Sequence, residues 1–524
     1  MTANNPEMSI AKTFYRKFVG LLLLLVVAGL GCKHRHSTQA PPSPQVTTVQ
    51  PAPQRENSRG TAKAAATKEP GAATAESAPS AASAQTQPEH QISPQEAQEL
   101  FRSVDEILEF ASKDTDLPIH RQVKRRLTSR DEVVAYIEKH MEEDEDAQRL
   151  RRSEQVLKKF GLLPRDFDLE TFLVALLREQ VAGYYDPKTK TVNLLNWIDP
   201  EQQKPVLAHE LTHALQDQSF GLEKWMKAGI TDLEKTKQPT PADIESDEAA
   251  AARQAVVEGQ AMAVLVDYML APTGQSLLNS PQMVEALKAG MLVGTGDAVE
   301  FRNAPIYLKE ALTFPYRYGI DFITEVLSKQ GKEKAFAGTF TSPPKNTRQI
   351  MEPETYLAGE HLEPMRLPDF DRDFKNYERF DIGAIGEFDV AVLIEQYAGA
   401  DTSRNLYPHW RGGYYYAARP KKDASAPLAL LYVSRWSNAE PAAEFAAIYA
   451  RSLPKRYKRA QQTGSDQGQN VSFETLTGKH AWLTEEGPIV IDAFGDMVLV
   501  AESLGQDTID QVEHEVLAQI AMAK

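Results

Sequence analysis

Hydrophobic and polar positions change character twice before the first regular pattern begins. Behind Lys12, Arg16 and Lys17 comes an apolar run, Phe18 to Gly31, which stops at Cys32 and a basic stretch. It is shorter than the ~20 residues that cross a bilayer as a helix, so residues 1–32 read as a signal peptide, with an uncleaved anchor as the second reading. From Lys33 to about Gln91 the chain is Ala, Ser, Thr, Pro, Gln and Glu with almost no bulky apolar residue. Such a stretch buries too little surface to offset its chain entropy, and residues 33–92 are expected to be a disordered tether. Order is predicted to resume at Ser93-Pro94-Gln95-Glu96, a capping box with proline at the first helical position. Ala97, Leu100, Phe101, Val104, Ile107 and Leu108 then keep a helical period. The patterns predict further helices over Asp131–His140, Arg149–Phe160 and Leu169–Gln180, with Pro118 and Pro164 as breakers.

Next the period shortens. Gly183-Tyr184-Tyr185-Asp186-Pro187, a turn at Lys188-Thr189, and Thr191 to Leu195 predict two short strands. A helix is predicted over Val206–Asp217, where Pro205 fits a first turn and no glycine interrupts. At 100° per residue, His209 and His213 share one face with Gln216 and Asp217 close by, and Leu207, Leu211, Ala214 and Leu215 lie opposite. A second helix within Asp247–Leu270 carries Glu258 among Ala251, Ala255, Ala261, Met262 and Leu265. Helical patterns continue to about Leu292 and over Asp321–Gln330, with the aromatic stretch Phe314 to Gly319 between them. Pro343-Pro344 and Glu352-Pro353 close this part near Gly359. From Asp381 the pattern is short strands, at Gly412–Ala417, Leu428–Ser434, Glu474–Leu483 and Ile489–Leu499, with helices at Pro441–Arg451 and Ile509–Ala521. The fold class expected is α+β: a mainly helical domain at 93–360 with a small edge-strand sheet, then a smaller α+β domain at 380–524.

Length and charge narrow the picture. A chain of 524 residues suffices for two or three domains, and a net charge of −15 argues against a nucleic-acid partner. Cys32 is the only cysteine, so no internal disulfide can form. Its place after Gly31 resembles a bacterial lipobox, although Gly29 stands where leucine is usual; the resemblance implies lipidation of Cys32 and a membrane-anchored mature protein. Lys33, rather than an acidic residue, is compatible with an outer membrane. The expected location is the bacterial cell envelope.

The chemistry centres on His209-Glu210-x-x-His213. Two imidazoles at i and i+4 can each give a nitrogen to one zinc ion, while the adjacent glutamate is placed to reach the attacking water. Glu258 on its apolar face needs a cation, either that zinc or an arginine. Two histidines and one glutamate would leave a fourth position open, as a catalytic zinc requires. Gly259 would let two helices approach closely.

His209-Glu210-x-x-His213 with the downstream Glu258-Gly259-x-Ala261 resembles the gluzincin class of zinc metallopeptidases. The fuller run from His209 to Gln218 resembles a bacterial branch of the peptidase MA-like clan, over about Phe167 to Tyr356. The resemblance implies a zincin-like domain, one catalytic zinc on His209, His213 and Glu258, and Glu210 as general base. It makes Tyr184 and Tyr185 candidates for an edge strand pairing with the substrate backbone; completing a sheet is the other reading. Asp217 is a candidate acceptor for a ligand imidazole N–H. Lys345 to Pro353 resembles a family stretch in which Glu352 stands where histidine is expected, leaving Tyr316, Tyr318 or Tyr356 to steady the oxyanion. Phe220 to Ile244, with Trp225, reads as a lid or a surface excursion. His409, His480 and His514 lack ligand-like spacing.

These residues point to an exported, lipid-anchored zinc metallopeptidase acting on a peptide or protein. The alternative is a non-catalytic, surface-anchored binding protein with a metalloprotease-like domain, and a weaker third is an envelope-remodelling lipoprotein. Oligomeric state is left open.

Overall fold

The computed structural model describes residues 91–133, 135, 144–179, 183–233, 235–293, 298–463 and 474–517. The signal-peptide and Cys32 expectations lie outside the described residues, as do nearly all of the tether, most of Asp131–His140 and the end of Ile509–Ala521. Ile92, at the tether's expected end, is tied down: its N–H donates to Asn196 O at 2.9 Å.

The capping box forms as the sequence requires. Ser93 and Glu96 exchange bonds, and helix α1 runs over Pro94–Thr115. Strand β1 (Lys124–Thr128), helix α2 (Asp144–Phe160) and helix α3 (Leu169–Glu179) follow. Two strands, β2 (Tyr184–Asp186) and β3 (Thr191–Leu195), then pair antiparallel, Tyr185 opposite Val192, while β1 joins the far side of β3 in parallel. β2 is therefore an edge strand. β1 escaped the pattern because its sequence, Lys-Arg-Arg-Leu-Thr, shows hardly any apolar alternation.

Helix α4 (Pro200–Phe220) begins five residues before the expected Pro205. Asp199 caps it by accepting from Glu201 N–H at 2.9 Å, and Pro200, not Pro205, takes the first-turn position. The expected division into a packed and a reactive face is also corrected: every residue from Val206 to Asp217 is buried. Three elements surround this helix, α1, the edge sheet and α5 (Pro241–Leu270). A Thr240–Asp243 capping box starts α5. Its closest partner is α6 (Ile306–Glu333), against which Gly259 meets Gly319 backbone to backbone.

A seven-stranded antiparallel sheet forms the rest: β4 (Tyr377–Ala384), β5 (Trp410–Pro420), β6 (Ala429–Trp436), β7 (Ala460–Gln462), β8 (Gly478–Thr484), β9 (Gly487–Phe494) and β10 (Met497–Glu502), in the order β4-β5-β6-β10-β9-β8-β7. The strand expected over Ile489–Leu499 is two strands of a hairpin, because Gly495 turns the chain at φ 60°. Helices α7 (Glu387–Ala398), α8 (Ala439–Arg456) and α9 (Gln506–Val516) complete the fold. Alternate residues of β5 face different cores: Tyr415 and Ala417 join the large one, Tyr414 and Tyr416 a smaller one shared with α9. The large core runs unbroken from α1 to the sheet, across the expected boundary at 360–380. The fold is mixed α and β with helices predominating.

Candidate metal centre

The cap on α4, the cap on α5 and the Gly259–Gly319 contact together bring Glu258 against the two histidines of α4. His209 Nε2 lies 3.1 Å from Glu258 Oε2, His213 Nε2 lies 3.4 Å from the same oxygen, and the two nitrogens are 3.0 Å apart. Gln254, one turn earlier on α5, donates to Glu258 Oε1 at 2.8 Å. Among the described residues no arginine pairs with Glu258, whose side-chain partners are the two histidines and Gln254. All of this is enclosed, with His209, Glu210, His213 and Glu258 all buried.

Gln216 sets the chemistry of His213. Its Nε2 donates to Val257 O at 3.0 Å and to Gln260 Oε1 at 2.9 Å, which leaves Oε1 to face His213 Nδ1 at 2.9 Å. A carbonyl oxygen only accepts, so Nδ1 carries the hydrogen and Nε2 turns a lone pair towards His209 and Glu258. Asp217, the expected acceptor, serves a different network: Tyr185 Oη donates to Asp217 Oδ2 at 2.9 Å and Lys190 Nζ does so at 2.6 Å. On a helix Asp217 lies 100° round from Gln216, which carries it towards the edge sheet.

Glu210 is held by the edge strand. Tyr185 N–H donates to Glu210 Oε2 at 2.7 Å, while Oε1 is buried with no partner among the described residues. Burial pushes the Glu210 carboxyl up to about 8. Burial acts the same way on Glu258, but the adjacent imidazoles, His213 foremost, hold it down to about 2. His213 is disfavoured as a cation by burial, yet the Glu258 carboxylate raises it to about 9; burial lowers His209 to about 4. The two Nε2 atoms and Glu258 Oε2 converge on one place, and the carboxylate's negative charge favours a cation beside it.

Of the three tyrosines left open by the sequence, one reaches this place. Tyr316 is buried with its ring centroid 6.2 Å from that of His209, and its phenol is pushed well up by burial and by the charges of Glu258 and Glu210. Tyr318 sits 200° further round α6, where its ring packs on Phe314 and lies under the Arg317 guanidinium. Tyr356 donates to Ser342 O at 2.8 Å and packs on Phe322. Glu352 is 2.6 Å from Arg348, whose guanidinium also reaches Glu360 and Glu387. The stretch expected to stabilise an oxyanion is thus an ion cluster of Arg348 with Glu352, Glu360 and Glu387. Trp225 anchors the Phe220–Ile244 segment by donating to Phe340 O at 2.8 Å.

His209, Glu210 and His213 each offer a ligand atom within 4.8 Å of one another, and could hold a metal ion. The orphaned Glu210 oxygen and the converging Nε2 and Glu258 Oε2 atoms fit such an ion. Comparison with protein-family models, with curated proteins and with solved structures finds no match to this chain. The site therefore rests on its own geometry. Gln254 was discoverable from the sequence, since it stands at i−4 from Glu258 on one helix face. Tyr185 N–H was not, because a backbone donor leaves no mark on residue type.

Proposed function

We propose that this protein is a zinc-dependent metallopeptidase, exported and anchored by a lipid on Cys32, with His209, His213 and Glu258 as zinc ligands. One observation carries the reading: the three donor atoms lie 3.0, 3.1 and 3.4 Å apart. Ligand atoms around a tetrahedral zinc with bonds of about 2.0–2.1 Å stand roughly 3.3 Å from one another. Bound zinc supplies Lewis-acid polarisation of a peptide carbonyl and lowers the pKa of water to about 7. Glu210, fixed through Oε2 by Tyr185 N–H, keeps Oε1 for the attacking water and would take its proton and pass it to the leaving amine. Tyr316, whose ring centroid lies 6.2 Å from that of His209, is the candidate to donate to the oxyanion. The substrate would be a peptide or protein, with β2 as the edge strand beside it.

Enclosure favours the second reading, a non-catalytic envelope binding protein stabilised by a metal. Beside Glu210 there is a recess of only about 20 Å³, while a cavity of about 810 Å³ lies elsewhere. Glu210→Gln separates the two. Metallopeptidase action predicts one zinc per chain in parent and variant by elemental analysis, with peptide cleavage in the parent alone and a loss of about 10²–10⁴-fold in the variant. One zinc with no cleavage of a mixed peptide library by either protein supports the binding reading. Glu258→Ala should weaken zinc binding, and unchanged affinity would remove Glu258 from the ligand set.

A further inference from the structure

The cavity of about 810 Å³ lies between the first half of α5, the segment 342–363 and the start of β5. Its size falls within the ~300–1,000 Å³ of small-molecule sites. Ile244, Met365, Tyr356 and Trp410 give it apolar and aromatic wall, and four cations, Arg253, Lys334, Lys345 and Arg411, border it. Arg253 donates to Trp225 O at 2.6 Å and lies over the Trp225 ring; Lys334 lies over the Tyr356 ring; Lys345 is 3.4 Å from His361 Nδ1. Among the described residues none of these last three, Arg253, Lys334 and Lys345, forms an ion pair with a carboxylate.

The cavity's acids are differently placed. Glu360 is paired with Arg348 at 2.8 Å, Glu245 and Glu363 are exposed, and Glu248 accepts from Thr347 N–H at 3.0 Å and from its hydroxyl at 2.6 Å. Burial, reinforced by Asp389, pushes Glu248 up to about 8, so it adds little negative charge. A bulge between Trp410 and Gly412 takes Arg411 out of the β-ladder at the same wall.

We propose that this cavity binds a small organic carboxylate with an apolar body, its head on Arg253 and Lys345 and its body against Tyr356 and Trp410. Two sources share that chemistry, a medium-chain fatty acid and the free C-terminus of an apolar peptide. The site is independent of the metal centre and stands whether or not the protein is a peptidase.

Calorimetric titration of the full-length protein with octanoate, N-acetyl-Leu-Phe and N-acetyl-Leu-Phe-amide tests this. At least one acid is expected to bind, the amide at least tenfold more weakly, and whichever acid binds tighter identifies the source. Arg253→Gln should weaken the acid about tenfold and the exposed change Lys345→Met a few-fold, the latter keeping the test valid if the former fails to fold. Binding should be unaltered in Glu210→Gln and after chelation. Absence of binding by either acid, equal binding of acid and amide, or loss of binding on chelation would each overturn the assignment.

Discussion

Gln216 decides which nitrogen of His213 meets the other two donors. Bonds to Val257 O and to the Gln260 side chain fix its amide, and the amide fixes the imidazole. Gln216→Leu should lower zinc affinity about 10–100-fold, while Gln216→Glu, which keeps an acceptor, should lower it far less; competition against a chromophoric chelator measures both. Equal affinity for the leucine variant and the parent would refute the orienting role. At this scale His209, Glu210, His213 and Glu258 were legible in the sequence, because i and i+4 spacing on a helix dictates which side chains share a face. The choice of Gln216 over Asp217 was not legible. It depends on Val257 and Gln260, which arrive from α5.

Among the elements, α5 carries Glu258 against α4 on one side and crosses α6 closely on the other. A methyl group on Gly259 would run into the backbone of Gly319, which no rotamer change can relieve. Gly259→Ala should therefore destabilise the fold by about 1–3 kcal/mol and weaken zinc binding, seen as a lower denaturant midpoint and a smaller rise of that midpoint on adding zinc. A midpoint within error of the parent would show that the helices part without loss. Close approach at Gly259 was readable from the sequence, but its partner Gly319 was not, sixty positions away in a stretch remarkable only for aromatic residues. Helix α4 departs from its expected pattern for a related reason. Flanked by α1, α5 and the edge sheet, it is buried all round, and its polar residues are paired inside rather than turned to water.

Over the whole molecule, charges join parts that are distant in sequence. Lys159 on α2 reaches Glu486 at 2.8 Å, and Arg456 on α8 grips Glu502 of β10 at 2.7 and 2.9 Å. Asp247 of α5 accepts a bond from Ala384, which ties that helix to β4 of the sheet, and Glu248 accepts one from Thr347. At the far ends of α1, α5 and α6, Asp114 sits near Asp267 and Lys332, and burial, with Asp267 adding, pushes its carboxyl from 3.8 up to about 7. Its folded pKa exceeds its unfolded one, so the stability it contributes is complete below about pH 3.8 and is lost as pH rises towards 7. Asp114→Asn should match the parent near pH 4 and exceed it by on the order of 1–3 kcal/mol above pH 7, in denaturant titrations at several pH values. A difference that does not grow with pH would reject this. The sequence by itself determined the local elements, the mixed α and β class and the four residues of the candidate metal centre, because helical period, caps and turns are short-range properties. Tertiary structure alone decided that one core spans both halves, that Gln216 and Tyr185 hold the site, and that Tyr316 rather than Tyr318 faces it. Those outcomes depend on which surfaces meet across long separations, and residue type along one chain does not encode that meeting in any local pattern.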